Sequence, residues 1–276
     1  MQLIFFVLSY FSFIYFSSNT IDLDVMSYNI RYDNSKDGKN QWSFRKKTLI
    51  NYFSKSSPDI IGMQEVLHNQ LTDLLTGLKE YNHIGVGRED GRTMGEYSPI
   101  LYRKSKYKVL KSSTFWLSET PNIISVGWDA VLERICTYAL FEDRKTKKFF
   151  WVFNTHFDHI GRVARSESVK LILNQISRLN LENEPTLITG DFNLTPETNP
   201  IKKLQSKFQD VMSQLNSNDL TYGTFTGFDT TKNANRRIDY IFQKGFNVKT
   251  SKHLWIKTPK DLWASDHHPV FLKCSF

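Results

Sequence analysis

The chain has 276 residues, of which 40% are hydrophobic and 23% are charged, and its formal net charge is +8. These fractions are ordinary for a globular protein and exclude extensive disorder outside short loops. No linker rich in Pro, Gly or Ser divides the chain, so we predict one large domain. The positive charge favours anionic partners such as nucleic acid, phospholipid head groups or phosphorylated sugars, without choosing among them.

The first stretch, from Met1 to Ser18, contains no charged side chain and is mostly apolar from Leu3 onward. An apolar run followed by small residues is typical of a secretory leader. We therefore predict that residues 1–20 are a signal peptide or N-terminal leader and that the protein is exported to the periplasm, the cell surface or the medium. A single membrane anchor is the alternative, although this stretch is short for a bilayer span. No other stretch predicts a membrane span.

The spacing of apolar residues predicts a βαβ opening for the folded part. It consists of a strand at residues 23–30, a helix at 42–53 and a short buried strand at 60–64. A second helix is predicted at residues 69–78. The pattern then turns to strands, which we place at residues 81–86, 99–102, 107–115, 135–142 and 149–155.

The clearest helical pattern covers residues 164–180, where Val169, Ile172 and Ile176 share one face. A buried strand at residues 186–189 follows and delivers Asp191, and further strands are predicted at 238–242 and 270–273. Strands and helices alternate in both halves, and strands dominate the middle. This order favours an α/β fold of two packed mixed sheets with outer helices, a four-layer α/β/β/α sandwich.

Polar side chains stand at the ends of several predicted strands. They come from five separate segments: Asn29, Gln64 with Glu65, His156 with Asp158, Asp191 with Asn193, and Asp266 with His267. Because polar groups are costly to bury unless they are paired or coordinate an ion, such a set indicates a site more than a core. Asn29 taken alone would be interpreted as a strand-end cap.

The ligand types in this set predict a hard metal ion. Carboxylates at strand ends suit Mg²⁺ or Mn²⁺ better than Zn²⁺. The two cysteines, Cys136 and Cys274, lie in apolar strand-like runs and are either buried thiols or a disulfide pair. A phosphoester hydrolase is therefore the leading hypothesis from the residues themselves.

Six motifs occur in one order along the chain. They are Ser-Tyr-Asn at 27–29, Gln-Glu at 64–65, Asn-Thr-His at 154–156, Gly-Asp-Phe-Asn at 190–193, Arg-Ile-Asp-Tyr at 237–240 and Ser-Asp-His-His-Pro at 265–269. In this order they resemble the endonuclease/exonuclease/phosphatase superfamily, which includes deoxyribonuclease I. The resemblance covers the chain from about residue 23 to its end. It implies a deoxyribonuclease I-like sandwich, with residues 21–276 as the catalytic domain.

The resemblance also implies roles for residues on the metal side of the site. Glu65 would be the main metal-binding carboxylate, with Asn29 and Asp266 close to the same ion or to a second one. Asp191 would orient or deprotonate the attacking water. Gln64 is expected to support Glu65 or the backbone.

On the phosphate side, the resemblance implies that Asn193 and His156 hold phosphate oxygens. His267 would contact the scissile phosphate and would be oriented by Asp239. These assignments agree with general chemistry, because such donors offset the charge that grows in a phosphoryl-transfer transition state. A carboxylate beside an imidazole is a common device for fixing its tautomer.

Five further segments, at residues 84–88, 95–100, 115–118, 127–130 and 156–159, resemble a branch of mostly bacterial, often exported members whose substrates are poorly defined. Loops around the mouth of the site would carry several of their residues. Arginine grips phosphate with two parallel hydrogen bonds, so arginines there are candidates for substrate contact. The predicted substrate-binding residues are Arg88, Glu96, Trp128, Arg134, Asp158 and Arg162. For Trp128 the alternative is core packing.

We expect a divalent-metal-dependent phosphoesterase that hydrolyses a phosphate mono- or diester of a small molecule, lipid head group or sugar through a metal-activated water. An extracellular nuclease acting on DNA or RNA is the alternative, although no dense basic loop suited to a nucleic-acid groove is present. A non-catalytic module that binds a phosphorylated ligand is a third hypothesis. It predicts gaps in the catalytic set, and the set is complete. A monomer is expected.

Overall fold

The computed structural model describes residues 20–276, so nearly all of the predicted leader lies outside the described residues. Two six-stranded mixed sheets pack face to face. The first contains, in spatial order, β11 (Asn247–His253), β12 (Val270–Ser275), β1 (Asp22–Asn29), β2 (Ile60–Gln64), β4 (Ile100–Arg103) and β3 (Tyr81–Ile84). The second contains β5 (Tyr107–Trp116), β6 (Ile135–Asp143), β7 (Phe149–His156), β8 (Thr186–Asp191), β10 (Asp239–Lys244) and β9 (Gln209–Asp210).

Helices cover the outer faces of both sheets. They are α1 (Trp42–Ser56) and α2 (His68–Gly77) on the first sheet, and α3 (Arg162–Leu179) and α4 (Asn199–Gln205) on the second. Phe53 of α1 packs with Met63 of β2, and Ile172 of α3 packs with Phe153 of β7. The predicted four-layer α/β/β/α sandwich is therefore confirmed. Within residues 20–276, no helix combines the length and apolar character that a bilayer span requires.

A polar contact joins β2 to the second sheet within the mostly apolar layer between the sheets. A Cβ atom added at Gly62 of β2 would lie 2.1 Å from Oγ1 of Thr189 and 2.6 Å from Oδ1 of Asn154. Nε2 of Gln64 donates to the same Asn154 oxygen at 2.7 Å. Gln64 therefore joins the two sheets, and Gly62 lets the sheets approach closely.

The register of the strands brings the predicted site residues to one edge of the sandwich. β1 and β2 are parallel, and Asn29 lies opposite Gln64. β7 and β8 are also parallel, and His156 lies opposite Asp191, while β10 runs antiparallel and places Asp239 opposite Asp191. Because the carboxyl ends of parallel strands meet at one edge of a sheet, each sheet delivers its polar residues there.

The opposite edge of the sandwich holds the two ends of the described chain. The backbone N–H of Ile21 donates to the carbonyl of Phe276 at 3.0 Å, and the N–H of Phe276 donates back at 3.2 Å. The cysteines are free: Cys136 lies in β6 and Cys274 in β12, on different sheets. Both thiols are buried, so the two cysteines are buried thiols and not a disulfide pair.

Candidate active site

A cavity of about 680 Å³ opens at the edge where the strand ends meet. Its wall contains four arginines, Arg31, Arg88, Arg134 and Arg236. Carboxylates and imidazoles that the sequence predicts as site residues also line it. They are Glu65, Glu96, Asp191, Asp266, His156 and His267, together with the amide of Asn193.

Glu65 and Asp266 form the carboxylate end of the cavity. Glu65 follows β2 in the left-handed region at φ 58°, a conformation that costs energy for a residue with a side chain. Its Oε2 accepts the backbone N–H of Tyr32 at 3.2 Å. The guanidinium of Arg31 lies 3.9 Å from Oε2 of Glu65 and 3.9 Å from Oδ2 of Asp266. Burial, together with the charge of Glu65, raises the pKa of Asp266 to about 6.

This pair of carboxylates suits a hard divalent cation. Two nearby anionic groups, one of them almost fully buried, are costly without a compensating charge, and Arg31 supplies only part of it. Asn29 links this end to the rest of the site, because its Nδ2 donates to Oε1 of Glu65 and to Oδ2 of Asp191, each at 3.0 Å. Its Oδ1 accepts the N–H of Arg31, so direct metal coordination by Asn29 stays a prediction.

Asp191 stands at the centre of the site. Its Oδ2 lies 3.6 Å from Nε2 of His156 and 3.7 Å from Nε2 of His267, while its Oδ1 accepts the backbone N–H of Asn193 at 2.9 Å. Burial and the neighbouring charge of Asp239 raise the pKa of the Asp191 carboxyl. A carboxylate with increased proton affinity, surrounded by imidazole nitrogens, has the properties of a general base.

His267 and Asp239 form a buried pair beside Asp191. Nδ1 of His267 lies 2.8 Å from Oδ2 of Asp239, as the resemblance implies. Burial alone would lower the pKa of His267, but the charges of Asp239 and Asp191 raise it well above its ordinary value. Ligand atoms of these three residues lie within 4.8 Å of one another, as in a metal site. The hydrogen bond already occupies one nitrogen, so the group is better described as an imidazolium held by two carboxylates.

Arg134 determines which ring nitrogen of His156 carries the proton and lowers the pKa of that ring. Its Nη1 lies 3.3 Å from Nδ1 of His156, and its Nη2 lies 3.0 Å from Nδ1 of His159. A guanidinium only donates, so both Nδ1 atoms accept, and the neutral ring of His156 carries its proton on Nε2. Burial and the charge of Arg134 lower the pKa of His156 to about 3. Asp158 does not line the cavity, but its Oδ2 pairs with Nε of Arg134 at 3.4 Å.

The remaining predicted substrate contacts divide into two groups. Arg88 and Glu96 line the cavity and form a two-point ion pair, with both N–O distances at 3.0 Å. Trp128 and Arg162 do not line it. Arg162 is exposed at the first residue of α3, and Trp128 has a left-handed backbone at φ 50° on a surface loop. Neither residue lies at the cavity, where the sequence predicted a contact with the substrate.

Several residues of the cavity were not predicted as site residues. Arg31, Tyr32, Leu132, Phe225 and Arg236 line it as well. Two of them carried a usable signal in the sequence. Arg31 comes two residues after Asn29, and Arg236 directly precedes the Arg-Ile-Asp-Tyr motif. His159 also lines the cavity.

Comparison with known proteins agrees with this geometry. Residues 26–267 match the family model described as the Endonuclease/Exonuclease/phosphatase family. The chain belongs to this family. An endonuclease/exonuclease/phosphatase from Bacteroides vulgatus is 39% identical, with 92% of this chain and 98% of that chain covered and a TM-score of 0.83.

Two other solved structures are similar to this chain, one in sequence and fold and the other in fold. A mannosyl-6-phosphatase from Bacteroides thetaiotaomicron is 36% identical, with 92% of this chain and 100% of that chain covered and a TM-score of 0.85. The TDP2 protein of D. rerio, solved with a single-strand DNA product, is 18% identical, with coverages of 92% and 98% and a TM-score of 0.70. At that identity the second likeness concerns the fold alone.

Proposed function

We propose that this family member is a divalent-metal-dependent phosphoesterase that acts on a phosphorylated small molecule, with sugar phosphates as the first class to test. The observation that carries the proposal is the group around Asp191, where one buried carboxylate faces two imidazole Nε2 atoms at 3.6 and 3.7 Å. The similarity to a mannosyl-6-phosphatase supports the choice of sugar phosphates.

Glu65 and Asp266 would hold the divalent ion, Mg²⁺ or Mn²⁺. When bound, the ion would polarise a phosphoryl oxygen. Arg31 lies 3.9 Å from each carboxylate and restrains both side chains. Asn29 then fixes the spacing between this end of the cavity and the general base, because its amide donates to both Glu65 and Asp191.

Asp191 would orient the attacking water and accept its proton. The amide of Asn29 and the backbone N–H of Asn193 hold its two oxygens in place. Burial raises the pKa of the carboxyl toward the working range of a general base. The carboxylate that would accept the proton is thus held by a hydrogen bond at each oxygen.

Three donors would stabilise the charge that develops on the phosphoryl oxygens. His267 contributes a cationic N–H from Nε2, because its Nδ1 is bonded to Asp239. His156 contributes a neutral N–H from Nε2, because Arg134 occupies its Nδ1. Asn193 is held by the carbonyl of Phe157, which accepts from its Nδ2 at 3.0 Å. Donors fixed before the reaction give transition-state stabilisation without reorganisation.

The test measures hydrolysis of a panel of substrates by the chain that begins at Ile21. Each substrate is assayed with Mg²⁺ and with chelator. The panel contains sugar phosphates, an inositol polyphosphate, sphingomyelin, RNA and plasmid DNA. We expect chelator-sensitive phosphate release from sugar phosphates that is lost in His267→Ala. His68→Ala, which alters an exposed histidine outside the cavity, is the matched control and should retain the activity.

Other outcomes of the panel would change the assignment. Cleavage of plasmid DNA or RNA alone would replace the proposal with a nuclease. Silence on every substrate, despite binding of the ion, would favour a phosphate-ligand-binding module.

Export of the protein is a separate proposal, carried by the uncharged apolar stretch from Met1 to Ser18. It predicts that the mature protein begins near residue 21 and is found outside the cytoplasm. N-terminal sequencing of the protein from fractionated cells tests it. A chain that retains Met1 in the cytoplasmic fraction would contradict export.

A further inference from the structure

Arg236 differs from the other three arginines of the cavity wall. Arg31, Arg88 and Arg134 each face a carboxylate, at 2.9, 3.0 and 3.4 Å respectively. The side chain of Arg236 forms no ion pair or hydrogen bond with any residue between 20 and 276; its one contact of note is a cation–π contact. Arg236 thus brings an uncompensated positive charge to the cavity.

An aromatic ring holds this charge in place. The guanidinium carbon of Arg236 lies 5.6 Å from the centroid of the Phe225 ring, and that ring lies 5.1 Å from the ring of His267. A cation–π contact orients a guanidinium but leaves its N–H groups free to donate. His267 is only 4% exposed whereas Arg236 is exposed, so Arg236 lies at the mouth and His267 at the floor.

The backbone under this arrangement is also fixed. The N–H groups of Thr224 and Phe225 donate to the carbonyl of Arg236 at 2.8 and 3.1 Å. Phe225 in turn forms a β-bridge with His267. These contacts connect the backbone of Arg236 through Phe225 to His267, so the position of Arg236 relative to the site is set by the backbone.

We propose that Arg236 binds a second anionic group of the substrate, a phosphate or a carboxylate, beyond the phosphate held at the floor. This inference rests on the proposed function, which places the first phosphate beside Asp191 and His267. A cavity of about 680 Å³ holds a ligand far larger than one phosphate group, and such a ligand extends to the mouth. A free guanidinium there matches a carboxylate or phosphate with two parallel hydrogen bonds.

The experiment measures binding and turnover of matched compounds in the presence of Mg²⁺. Fructose 1,6-bisphosphate is compared with fructose 6-phosphate, and 6-phosphogluconate with glucose 6-phosphate. Binding is measured by calorimetry on Asp191→Asn, which removes turnover from the readout. We expect the doubly anionic member of at least one pair to bind about 10-fold tighter, and the better pair identifies phosphate or carboxylate as the second group.

Variants at Arg236 then test the assignment. In Arg236→Ala the ratio of the Kd of the singly anionic compound to that of the doubly anionic compound should fall toward 1. Arg236→Lys should keep part of this ratio, because lysine offers a point charge without the two-pronged geometry. Arg178→Ala, at an exposed arginine in the last turn of α3, is the control and should keep the full preference.

The outcomes separate this inference from the proposed function. Release of phosphate from the single-phosphate compounds, without any preference for a second anion, would overturn the role of Arg236 alone. A preference that survives in Arg236→Ala would do the same. Absence of both binding and turnover for all four compounds would count against this inference and against sugar phosphates as substrates together.

Discussion

Asp191 is the residue whose change should separate chemistry from folding. Asp191→Asn keeps the size of the side chain and one acceptor oxygen but removes the proton acceptor. Because burial already raises the pKa of this carboxyl, loss of the charge should cost little stability. We expect kcat to fall by about 10²–10⁴ with little change in thermal unfolding.

The measurement is kcat for hydrolysis of a sugar phosphate that the wild type cleaves, together with a thermal unfolding curve of the same preparation followed by circular dichroism. Asn193→Asp, at the other polar position of the same motif, offers a comparison in which a donor is lost and the base is retained. A melt that collapses in Asp191→Asn, with activity lost in proportion, would assign Asp191 to a structural role.

The sequence predicted the residues that follow a strand better than those on loops. Glu65, Asp191 and Asp266 were placed by the strand before or after them, and the register of the sheets brings them together. Trp128 was predicted from a loop segment that resembles the family branch and Arg162 from its residue type, and both lie outside the cavity. A side chain at a strand end inherits its position from the sheet, whereas a loop side chain depends on contacts that a sequence does not encode locally.

At the scale of elements, Gly62 controls how closely the two sheets approach. Gly62→Ala would place a methyl group 2.1 Å from Oγ1 of Thr189 and 2.6 Å from Oδ1 of Asn154. The sheets or these side chains must shift, so we expect a loss of about 1–3 kcal/mol in the free energy of unfolding. Urea unfolding monitored by fluorescence provides the measurement, with Ser112→Ala on the exposed face of β5 as the control.

A second variant checks that the effect of Gly62→Ala comes from this contact. Thr189→Ala removes the oxygen closest to the added methyl group. The double variant should therefore lose less stability than the sum of the two single changes. Additive losses would assign the destabilisation to contacts other than the one with Thr189, such as the contact with Asn154.

The elements that sequence patterns missed are the ones with weak local signals. β11 is an edge strand with mostly exposed residues, so its sequence shows no alternation of apolar and polar positions. α4 has only seven residues and buries only Ile201 and Leu204. The strands and helices with a clear apolar period, such as β7 and α3, were predicted within a few residues of their ends. β9, with only two residues, was not predicted either. Tertiary packing, more than local pattern, specifies these short or exposed elements.

At the scale of the whole molecule, a bound cation should stabilise the fold. Glu65 follows β2 and Asp266 precedes β12, two strands of the first sheet that are separated by β1, so an ion held by both carboxylates would connect the ends of these strands. A ligand that binds only the native state at 100 times its Kd adds about 2.7 kcal/mol to the free energy of unfolding. We expect Mg²⁺ to raise Tm relative to chelator and expect Glu65→Gln to reduce this rise strongly. Equal Tm values with millimolar Mg²⁺ and with chelator would argue against a preformed site.

Acid should destabilise the fold through His253, which does not line the cavity. Burial lowers its pKa from 6.5 to about 4, and Nδ1 is bonded to the carbonyl of Thr221 at 2.6 Å. The unfolded chain takes up a proton below pH 6.5 while the native chain does not, so this contribution is present above pH 6.5 and is lost as pH falls toward 4. Complete loss of this contribution would lower the free energy of unfolding by roughly 3 kcal/mol, because each unit of difference between the two pKa values corresponds to about 1.4 kcal/mol.

The variant His253→Gln isolates this contribution, because the buried carboxylates of the site titrate equally in both proteins. Urea unfolding at several values between pH 7 and 4.5 should show a stability difference between wild type and variant that shrinks with acid. Parallel curves would show that His253 does not carry the acid sensitivity.

The pairing of Ile21 with Phe276 has a practical consequence for how the molecule can be attached to other things. β1 has eight residues and begins beside this pair, so roughly 26 Å of strand separates Ile21 and Phe276 from Asn29 at the cavity. In a chain shortened to begin at Ile21, a fusion partner, a resin or a carrier surface joined at Ile21 or at Phe276 would therefore stand behind the sandwich, with the cavity facing outward. In that shortened chain, Ile21 and Phe276 could also be joined by a short linker and the chain reopened at an exposed loop.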